Sequence, residues 1–478
     1  MSSFYEKVQS LSQRAIENNN WRQRESFNLI PSETTPSLLV KMCEISDPAG
    51  RYAEHRTMKG EEVYFYQGTD FIRDVEEEVR KELSRFFDCN EVELRPISGQ
   101  MANEVVFKGM VRFLNRERPQ GEPAKRMKLV MNNELTKGGH LSSQPMGALF
   151  NYVEEDPQTG KENVINFPVH KNNPYKPDLE GLKQLLEQHK PDLLVFGKSM
   201  FLYPEPIRFV SDLVKDWDVR PVIMYDMAHV LGLYGAFQMP FEEGADIVTG
   251  STHKTFFGPQ RGVIAGKFAK ESPLRKLWLD IKNRAFPGST SNHHLGTLLG
   301  LLMATYEMNE FKEEYQKQVK NNAKAFAGAL SGNGVQVEGD SNDGFTETHQ
   351  VVIRVKPYGG GQEIARRLEE SNIITNYQAL PDDQTFLESS GIRMGVQEMT
   401  RFGMAEKDFD RLAEFIAEVI VKNKKPKEEV KRFRQNFLQM KYCLPMKQAL
   451  PIASRIIRSI VHDPDFSDKF MEKMEKSV

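Results

Sequence analysis

Short apolar runs alternate with longer amphipathic stretches along much of the chain. The runs KLVMNN, DLLVFGKS, PVIMYD and ADIVTGST are each bounded by residues that break regular structure, which predicts buried strands. Segments with helical spacing, such as DLEGLKQLLEQH and RFVSDLVKDW, lie between them. This alternation predicts an α/β fold with a mostly parallel sheet that helices cover on both faces.

Two amphipathic helices are predicted nearer the N-terminus. Residues 4–20 carry apolar side chains at helical spacing, at Phe4, Val8, Leu11, Ala15 and Ile16. Residues 70–87 form the second predicted helix, whose apolar face consists of Phe71, Val75, Val79 and Leu83.

The pattern changes after the segment RAFPGSTSNHH. A long helical stretch over residues 295–334 is followed by a predicted strand at HQVVIRV and then by mixed helices and strands. We therefore predict an N-terminal helical arm over residues 1–30, a large domain over residues 31–310 and a small α+β domain over residues 311–478.

Composition narrows the class of protein. The chain has 478 residues, a formal net charge of −3, and globular proportions of hydrophobic (39%) and charged (27%) residues. The near-neutral charge argues against a broad basic surface for nucleic acid or an anionic membrane. Three widely spaced cysteines, Cys43, Cys89 and Cys443, favour a reducing compartment, and neither a secretory signal nor a membrane-spanning apolar segment is evident. These features predict a soluble cytoplasmic protein.

Two ionisable residues stand at the ends of predicted strands. Asp226 ends PVIMYD, where a carboxylate is costly to bury unless a cation faces it, and where an N-cap of the next helix is the simpler alternative. Lys254 follows ADIVTGST among hydroxyl side chains, and a desolvated lysine there would be nucleophilic and suited to a Schiff base. A lysine that reaches the surface is the alternative.

Two further motifs offer places for a phosphate and a flat ring. Ser98–Gly99–Gln100 precede a predicted helix, whose free N–H groups can bind an anion, although helix capping explains the motif equally well. His140 follows Gly138–Gly139, which would let its ring approach a planar partner, and a histidine satisfied within the core is the alternative. Together with a carboxylate and a lysine, these motifs predict a site for pyridoxal 5′-phosphate (PLP).

Nine motifs, in order from residue 29 to residue 395, resemble the serine hydroxymethyltransferase family of fold-type I PLP enzymes: LIPSETTPS, RYAEH, FYQGTDFIRDVE, ISGQMAN, KGGHL, YDMAHVLGL, STHKTFFGPQRG, AFPG and SGIRMG. The resemblance implies a large PLP-binding domain with a mostly parallel seven-stranded sheet, plus a smaller C-terminal α+β domain. It also implies reversible cleavage of the Cα–Cβ bond of β-hydroxy-α-amino acids, which interconverts serine and glycine through a glycine quinonoid.

The resemblance assigns roles to individual residues. Lys254 would form the internal aldimine, Asp226 would pair with the pyridine nitrogen, and His140 would stack on the ring. Arg393 would bind the substrate carboxylate, and Glu54 would act on the β-hydroxyl as general acid or base. Further cofactor contacts would come from Ser98, Gly99, Gln100, Ser199, His229, Thr252, Ser291 and Asn292. Further substrate contacts would come from Ser32, Tyr52 and Tyr66.

The resemblance also implies partners. In the family, the residues that match Tyr52, Glu54 and Tyr66 reach in from the neighbouring subunit, which implies a homodimer or a dimer of dimers with a shared active site. The small-molecule partners would be an amino acid (glycine, serine or threonine) and an aldehyde or one-carbon carrier.

Several positions depart from the family pattern. His55 stands where the motif YAEG has glycine, Gln260 stands where arginine is usual, and PGSTSNHH replaces PGGQGGP. The position of the folate-contacting asparagine holds Gln378. These departures leave the PLP residues intact and leave the use of tetrahydrofolate open.

Other activities follow from the same motifs. GFTETHQV, THKTFFGPQ and GVQEMTRFGM resemble a side branch of the family, the L-threonine transaldolases, which transfer glycine from threonine to another aldehyde. A folate-independent transaldolase or aldolase is therefore the alternative, and a PLP-fold protein that binds without turnover is a remote one. No metal is expected at His293–His294, because no third ligand is apparent.

Overall fold

The computed structural model describes residues 3–58, 61–385 and 388–461, together with residues 465, 468, 469 and 472. The predicted arm over residues 1–30 and small domain over residues 311–478 include positions outside these ranges. Among the described residues, no helix is both long enough and apolar enough to cross a bilayer.

The chain forms two compact units. The larger unit comprises Thr34–Ser199, Pro204–Lys312 and Tyr442–Val478, and the smaller unit comprises Met1–Glu33, Met200–Tyr203 and Glu313–Lys441. Each unit is therefore built from segments that are distant in sequence. The three-part division drawn from the sequence stays a prediction.

The α-helices follow in chain order. They are α1 Phe4–Asn20, α2 Leu38–Glu44, α3 Asp70–Phe87, α4 Gly99–Leu114, α5 Leu179–His189, α6 Ile207–Val214, α7 Pro240–Glu243, α8 Leu274–Ala285, α9 Leu295–Gly332, α10 Gly361–Glu370, α11 Gln397–Arg401, α12 Glu406–Ile420, α13 Lys427–Arg434 and α14 Met446–Ile460.

The strands are numbered in the same way. They are β1 Phe27–Asn28, β2 His55–Met58, β3 Glu61–Tyr64, β4 Glu91–Glu93, β5 Val130–Asn132, β6 Val164–Asn166, β7 Val169–His170, β8 Asn173–Pro177, β9 Leu193–Phe196, β10 Val222–Asp226, β11 Ile247–Ser251, β12 Gly262–Gly266, β13 Gln336–Val337, β14 Gln350–Arg354, β15 Ile373–Ile374, β16 Asn376–Gln378 and β17 Gly391–Gly395.

The larger unit contains a seven-stranded sheet in the order β4-β12-β11-β10-β9-β5-β6, and the apolar runs of the sequence form its centre. Strands β5, β9, β10 and β11 pair in parallel, with Leu193 beside both Val130 and Val222, and with Met224 beside Ile247. Every residue of these four strands is buried, which explains why their sequences are apolar on both faces. The predicted α/β fold with a mostly parallel seven-stranded sheet is confirmed.

The direction of the strands decides where functional residues meet. Strand β12 is antiparallel to β11, and β4 is antiparallel to β12, so β4 runs in the same direction as the parallel strands. The carboxyl ends of β4, β5, β9, β10 and β11 therefore lie along one edge of the sheet, where open α/β sheets bind ligands. Helix α4, which follows β4, begins at this edge.

Helix α4 is fixed by close packing against α8. Its buried face includes Val106, Phe107 and Met110, which share a core cluster with Ile281 of α8. Gly109 lies at the contact, because a Cβ at this position would be 2.6 Å from Cγ1 of Ile281 and 3.3 Å from its Cα. Packing against α8 therefore fixes α4 at positions that follow its N-terminal turn.

Helix α3 follows its predicted span, but one residue of its predicted apolar face is wrong. Val75, Val79 and Leu83 are buried, whereas Phe71 is 58% exposed and Ile72 is buried in its place. Ile72 precedes Val75 by three residues and Val79 by seven, so it continues the buried stripe. Phe71 lies at the edge of that stripe and lines a surface cavity.

Helix α1 also follows its predicted span. It begins after Ser3, which forms a capping box with Glu6. None of its residues is buried, and the apolar side chains predicted from the periodicity include Phe4 at 84% exposure and Leu11 at 68%. The periodic pattern therefore identified the helix but not a buried face.

The smaller unit contains a four-stranded antiparallel sheet in the order β13-β14-β17-β16. On its β17 strand, Arg393 lies beside Val352 of β14 and Asn376 of β16. The N-terminal segment belongs to this unit, because Phe27 of β1 pairs in parallel with Ile373 of β15. This arrangement agrees with the predicted α+β character.

Gly109→Ala should lower the free energy of unfolding by about 1–3 kcal/mol, because the added methyl group overpacks the contact with Ile281. Gly328 of α9 provides a matched control, since a Cβ there would meet no atom within 4 Å. Gly328→Ala should raise the free energy of unfolding by about 0.5–1 kcal/mol. Urea unfolding measures the free energy of unfolding of both variants. Equal changes in the two variants would contradict the overpacking at Gly109.

Candidate active site

The carboxyl edge of the large sheet collects ionisable residues that are far apart in sequence. Asp226 is the last residue of β10, Ser251 is the last residue of β11, and Lys254 follows three positions later. His140 lies after β5, and its backbone N–H donates to the carbonyl of Gly197, which follows β9, at 2.9 Å. Parallel pairing of the strands therefore builds one site from several loops.

Asp226 carries a buried negative charge at this edge. It is 2% exposed, its Oδ2 accepts a hydrogen bond from Asn103 Nδ2 at 2.7 Å, and the same oxygen lies 2.5 Å from His140 Nδ1. Its Oδ1 accepts the N–H of Ala228 at 3.0 Å. Burial raises the pKa of Asp226, but the His140 imidazole and these hydrogen bonds outweigh burial and lower the pKa to about 2. The carboxylate is therefore ionised at neutral pH.

Three polar residues beside Asp226 were missed by the sequence analysis. Asn103 donates to Asp226 and accepts from Thr249 Oγ1 at 2.6 Å, while Ser142 Oγ donates to Asp226 at 3.3 Å. Asn103 did leave a signal, since asparagine is disfavoured inside helices and this one interrupts apolar positions of α4. Ser142 and Thr249 left no such signal, because serine is common in turns and threonine is common in strands.

Lys254 is buried at 8% exposure, so the alternative of a lysine that reaches the surface does not hold. Its Nζ donates to Ser251 Oγ at 2.9 Å, and its backbone carbonyl accepts from Thr34 Oγ1 at 2.5 Å. The neighbouring His253 is held neutral, because burial and then the charge of Lys254 lower the pKa of His253 to about 3. The side chain and the backbone of this lysine are thus both fixed at the end of β11.

The N-terminus of α4 lies beside the same hydroxyl group. A Cβ on Gly99 would lie 2.2 Å from Ser251 Oγ, so a larger residue would force this hydroxyl to move. Ser98 Oγ accepts the N–H of Met101 at 3.1 Å, so the capping role considered from the sequence is present. The N–H groups of Gly99 and Gln100 lie in the first turn, where an α-helix offers them no carbonyl. These groups can receive an anion.

The glycines before His140 have a structural role that the sequence analysis did not consider. Gly138 has a φ of +91°, and a Cβ on Gly139 would lie 2.2 Å from the carbonyl oxygen of Asn133. They therefore permit a tight loop against the preceding strand. The predicted approach of the His140 ring to a planar partner stays a prediction. The ring of His140 does face that of His229, with centroids 5.7 Å apart and perpendicular planes.

Two other predicted cofactor residues also stabilise the loops of this edge. The backbone N–H of Ser199 donates to the carbonyl of Gly138 at 2.7 Å. The hydroxyl of Thr252 donates to the carbonyl of Pro259 at 2.6 Å and is completely buried. Thr252 thus stabilises the loop that follows Lys254.

The residues at this edge fit PLP. The buried carboxylate of Asp226 suits a cationic ring nitrogen, the first turn of α4 suits a phosphate, and Lys254 provides an amine. Nδ1 of His253, beside the lysine, is a buried polar atom that lacks a hydrogen-bond partner among the described residues. Such an atom is expected where a polar ligand belongs.

Tyr52, Glu54 and Tyr66 form a separate group around the β2–β3 hairpin. The rings of Tyr52 and Tyr66, which are 50% and 42% exposed, have centroids 5.4 Å apart. Both line a cavity of about 710 Å³ whose lining includes neither Asp226 nor Lys254. The lining of this cavity is therefore distinct from the residues that surround Asp226 and Lys254.

The loop with Ser291 and Asn292 lies beside this second group. Asn292 Nδ2 donates to the carbonyl of Arg51 at 2.7 Å, next to Tyr52 in the chain. Ser291 is exposed. The proposed phosphate contacts of this loop stay a prediction.

Arg393 and Ser32 lie in the smaller unit. Arg393 is 7% exposed, and its Nε and Nη2 each lie 3.4 Å from Asn376 Oδ1. Burial lowers the pKa of Arg393 to about 10, so the guanidinium stays charged at neutral pH. Ser32 lies in a loop held by Gln397, whose Nε2 donates to backbone carbonyls on both sides of it. Their contact with a substrate stays a prediction.

Asp226→Asn should lower the free energy of unfolding at pH 7 by about 2 kcal/mol, which is the value of a carboxyl pKa lowered from 3.8 to about 2. A lowered pKa stabilises the folded state above pH 3.8, and this contribution is lost as the pH falls towards 2. Urea titrations of both proteins at pH values from 7 to 3 should therefore show that the difference between their free energies of unfolding becomes smaller as the pH falls. Exposed Asp212→Asn serves as the control, and a difference independent of pH would contradict the ionised state of Asp226.

Comparisons with known proteins agree with this chemistry. A family model described as serine hydroxymethyltransferase matches residues 6–416. The chain is 37% identical over 441 residues to the serine hydroxymethyltransferase of Pyrobaculum aerophilum, covering 91% of this chain and 94% of that protein. It is also 37% identical over 446 residues to that of Staphylothermus marinus, covering 92% and 93% of the two chains.

A solved structure adds a second comparison. The crystal structure of L-threonine transaldolase from Pseudomonas fluorescens in the internal aldimine state superposes with a TM-score of 0.79 at 26% identity. The match covers 94% of this chain and 97% of that one. The family model, the curated relatives and the fold all agree, and the chain belongs to the serine hydroxymethyltransferase family of PLP-dependent enzymes.

Proposed function

We propose that the chain breaks and forms the Cα–Cβ bond of β-hydroxy-α-amino acids, interconverting serine and glycine, with PLP attached to Lys254. The observation that carries the proposal is a buried carboxylate and a buried lysine at one edge of the sheet, beside the N-terminus of α4. PLP, when bound, supplies a ring that accepts the electrons released as a bond at Cα breaks.

Residues of the larger unit would hold the cofactor. Asp226, ionised and buried, would keep the ring nitrogen protonated. The first-turn N–H groups of α4 would bind the phosphate, and His140 would lie against the ring. The remaining proposed contacts are Ser98, Ser199, His229, Thr252, Ser291 and Asn292.

Other residues would act on the substrate. Arg393 would bind the amino-acid carboxylate through two parallel hydrogen bonds, a geometry that guanidinium provides. Glu54 would take the proton of the β-hydroxyl as the bond between Cα and Cβ breaks. Ser32, Tyr52 and Tyr66 would complete the surroundings of the carboxylate and the hydroxyl.

We propose a homodimer, or a dimer of dimers, as the working unit. Tyr52 and Tyr66 are partly exposed around a cavity that lacks the lysine, although both are proposed to contact substrate. A second copy of the chain would resolve this by contributing them, with Glu54, to the site of its neighbour.

The acceptor of the transferred group separates two candidate activities. The relatives named serine hydroxymethyltransferase favour transfer to tetrahydrofolate, which is the leading candidate. The similarity to an L-threonine transaldolase over nearly the whole chain favours the second, in which the glycine unit of threonine passes to another aldehyde without folate. Gln378, at the position of a folate-contacting asparagine, also favours the second candidate.

Product assays with serine and threonine, each with and without tetrahydrofolate, distinguish the candidates. Cleavage of serine that requires tetrahydrofolate is the result expected of a hydroxymethyltransferase. Cleavage of threonine that does not depend on folate, with the glycine unit transferred to an added aldehyde, would identify a transaldolase instead. Loss of both activities in a protein that still binds PLP would favour the remote non-catalytic alternative.

Borohydride reduction should attach the cofactor permanently to the peptide that contains Lys254, because this lysine is buried and bonds to Ser251 beside the N-terminus of α4. Peptide mass mapping measures the attachment. Lys254→Arg keeps the positive charge but should lose the label, whereas Lys267→Arg, which alters a surface ion pair, should keep it. A label on another lysine would refute the assignment.

A further inference from the structure

A buried glutamate joins two segments that depart from the family pattern. Glu76 of α3 is completely buried, and its Oε1 lies 2.7 Å from Nε2 of His293. Its Oε2 lies 3.3 Å from Nε2 of His55. Both histidines are buried at 3% exposure, and each stands in a motif that differs from the family at that place.

The partners of His293 fix its protonation. Its Nδ1 lies 3.0 Å from Nη2 of Arg261, which can only donate, so Nδ1 accepts. Nε2 must therefore carry the hydrogen and donate to Glu76. Burial, together with the charge of Arg261, lowers the pKa of His293 despite its bond to Glu76, in keeping with a neutral ring.

The partners of His55 require the other charge state. Its Nδ1 faces the carbonyl of Ala53 at 3.0 Å, and its Nε2 faces the carboxylates of Glu62 at 3.1 Å and Glu76 at 3.3 Å. Both nitrogens therefore face acceptors, and the ring satisfies them only as an imidazolium. Burial lowers the pKa of His55, but the hydrogen bond to Glu62, the charges of Glu76 and Glu62, and the hydrogen bond to the carbonyl of Ala53 outweigh burial and raise the pKa.

A metal ion is a weaker explanation of this cluster. His55, Glu62 and Glu76 do offer ligand atoms within 4.8 Å of one another. However, Oε2 of Glu76 already accepts from Arg80 Nη2 at 3.0 Å and from Tyr64 OH at 3.2 Å. A guanidinium at the ligating oxygen would repel a divalent cation, whereas a protonated imidazole needs only a hydrogen bond.

Each histidine is tied to a segment of the proposed active site. His55 follows Glu54 directly, begins β2, and stacks on Tyr64 with ring centroids 4.4 Å apart. His293 follows Asn292, and its backbone carbonyl is a further acceptor for Arg261. The carboxylate of α3 therefore contacts the hairpin through one oxygen and the loop through the other.

We propose that Glu76 is a positioning residue that fixes these two segments at once, one through each carboxylate oxygen. The first segment carries Glu54, and the second carries Ser291 and Asn292. The inference rests on the proposed function for the roles of those three residues. The network itself does not depend on it.

Glu76→Gln tests the proposal, because an amide has one accepting oxygen and cannot accept from His293 and from a protonated His55 through two separate oxygens, as a carboxylate does. Hydrogen–deuterium exchange on the PLP-loaded protein should rise about tenfold in peptides covering residues 51–58 and 289–297. The exposed neighbour provides a matched control, and Glu77→Gln should leave both segments unchanged. With the substrate that the wild type cleaves, kcat should fall about tenfold or more while KM changes less than about twofold.

Two single variants separate positioning from general destabilisation and remain informative if Glu76→Gln does not fold. His55→Gln should raise exchange in the first segment alone, and His293→Gln should raise it in the second alone. Exchange that rises uniformly across the protein, or in neither segment, would overturn the proposal. So would a stoichiometric metal in the wild type that His55→Gln removes. Exchange is read without turnover, so an inactive wild type would refute the proposed function and leave this test decisive.

Discussion

The negative charge of Asp226, held out of contact with water, is the constraint on which the site depends. A buried carboxylate must be stabilised by donors that the fold supplies. Here they come from Asn103 on α4, from His140 in the loop after β5, and from the N–H of Ala228 after β10. The charge therefore connects three elements of the fold. It is present at the site where a ligand with a cationic ring nitrogen would bind.

Positive potential is concentrated nearby at the same edge. The N-terminus of α4 approaches Ser251, which also accepts the hydrogen bond of Lys254. A helix N-terminus carries a partial positive charge, and a lysine adds a full one. The edge is therefore suited to a ligand with an anionic group and a cationic ring, which PLP combines. A side chain at position 99 would displace the hydroxyl of Ser251.

Two of the departures from the family pattern, His55 and His293, meet in space although they are distant in sequence. His55 and His293 meet at Glu76, and Arg261, which follows the unusual Gln260, bonds to His293. A side chain that replaces a glycine in a buried place needs partners for its polar atoms. The chain supplies these partners through a connected group of polar and charged residues around Glu76. This group is separate from the residues that surround Asp226.

Local patterns were sufficient for much of the fold. The apolar runs predicted β5, β9, β10 and β11, and helical spacing predicted α3 and α9, because burial on both faces or on one stripe leaves a periodic trace in the sequence. Motif order identified Asp226 and Lys254, whose burial at one sheet edge agrees with the expected chemistry. The position of Phe71 was wrong, since neighbouring apolar residues compete for the edge of a stripe.

Other features were decided only by the tertiary structure. Asn103 was missed although its motif was examined, and the acidic neighbour of His293 was not apparent because Glu76 lies 217 positions away. A glutamate in an amphipathic helix has the same sequence signature whether it faces water or two histidines. Hydrogen bonds between distant residues leave no periodicity, so the sequence by itself determined the sheet and its central charges, and packing decided which polar side chains meet around them.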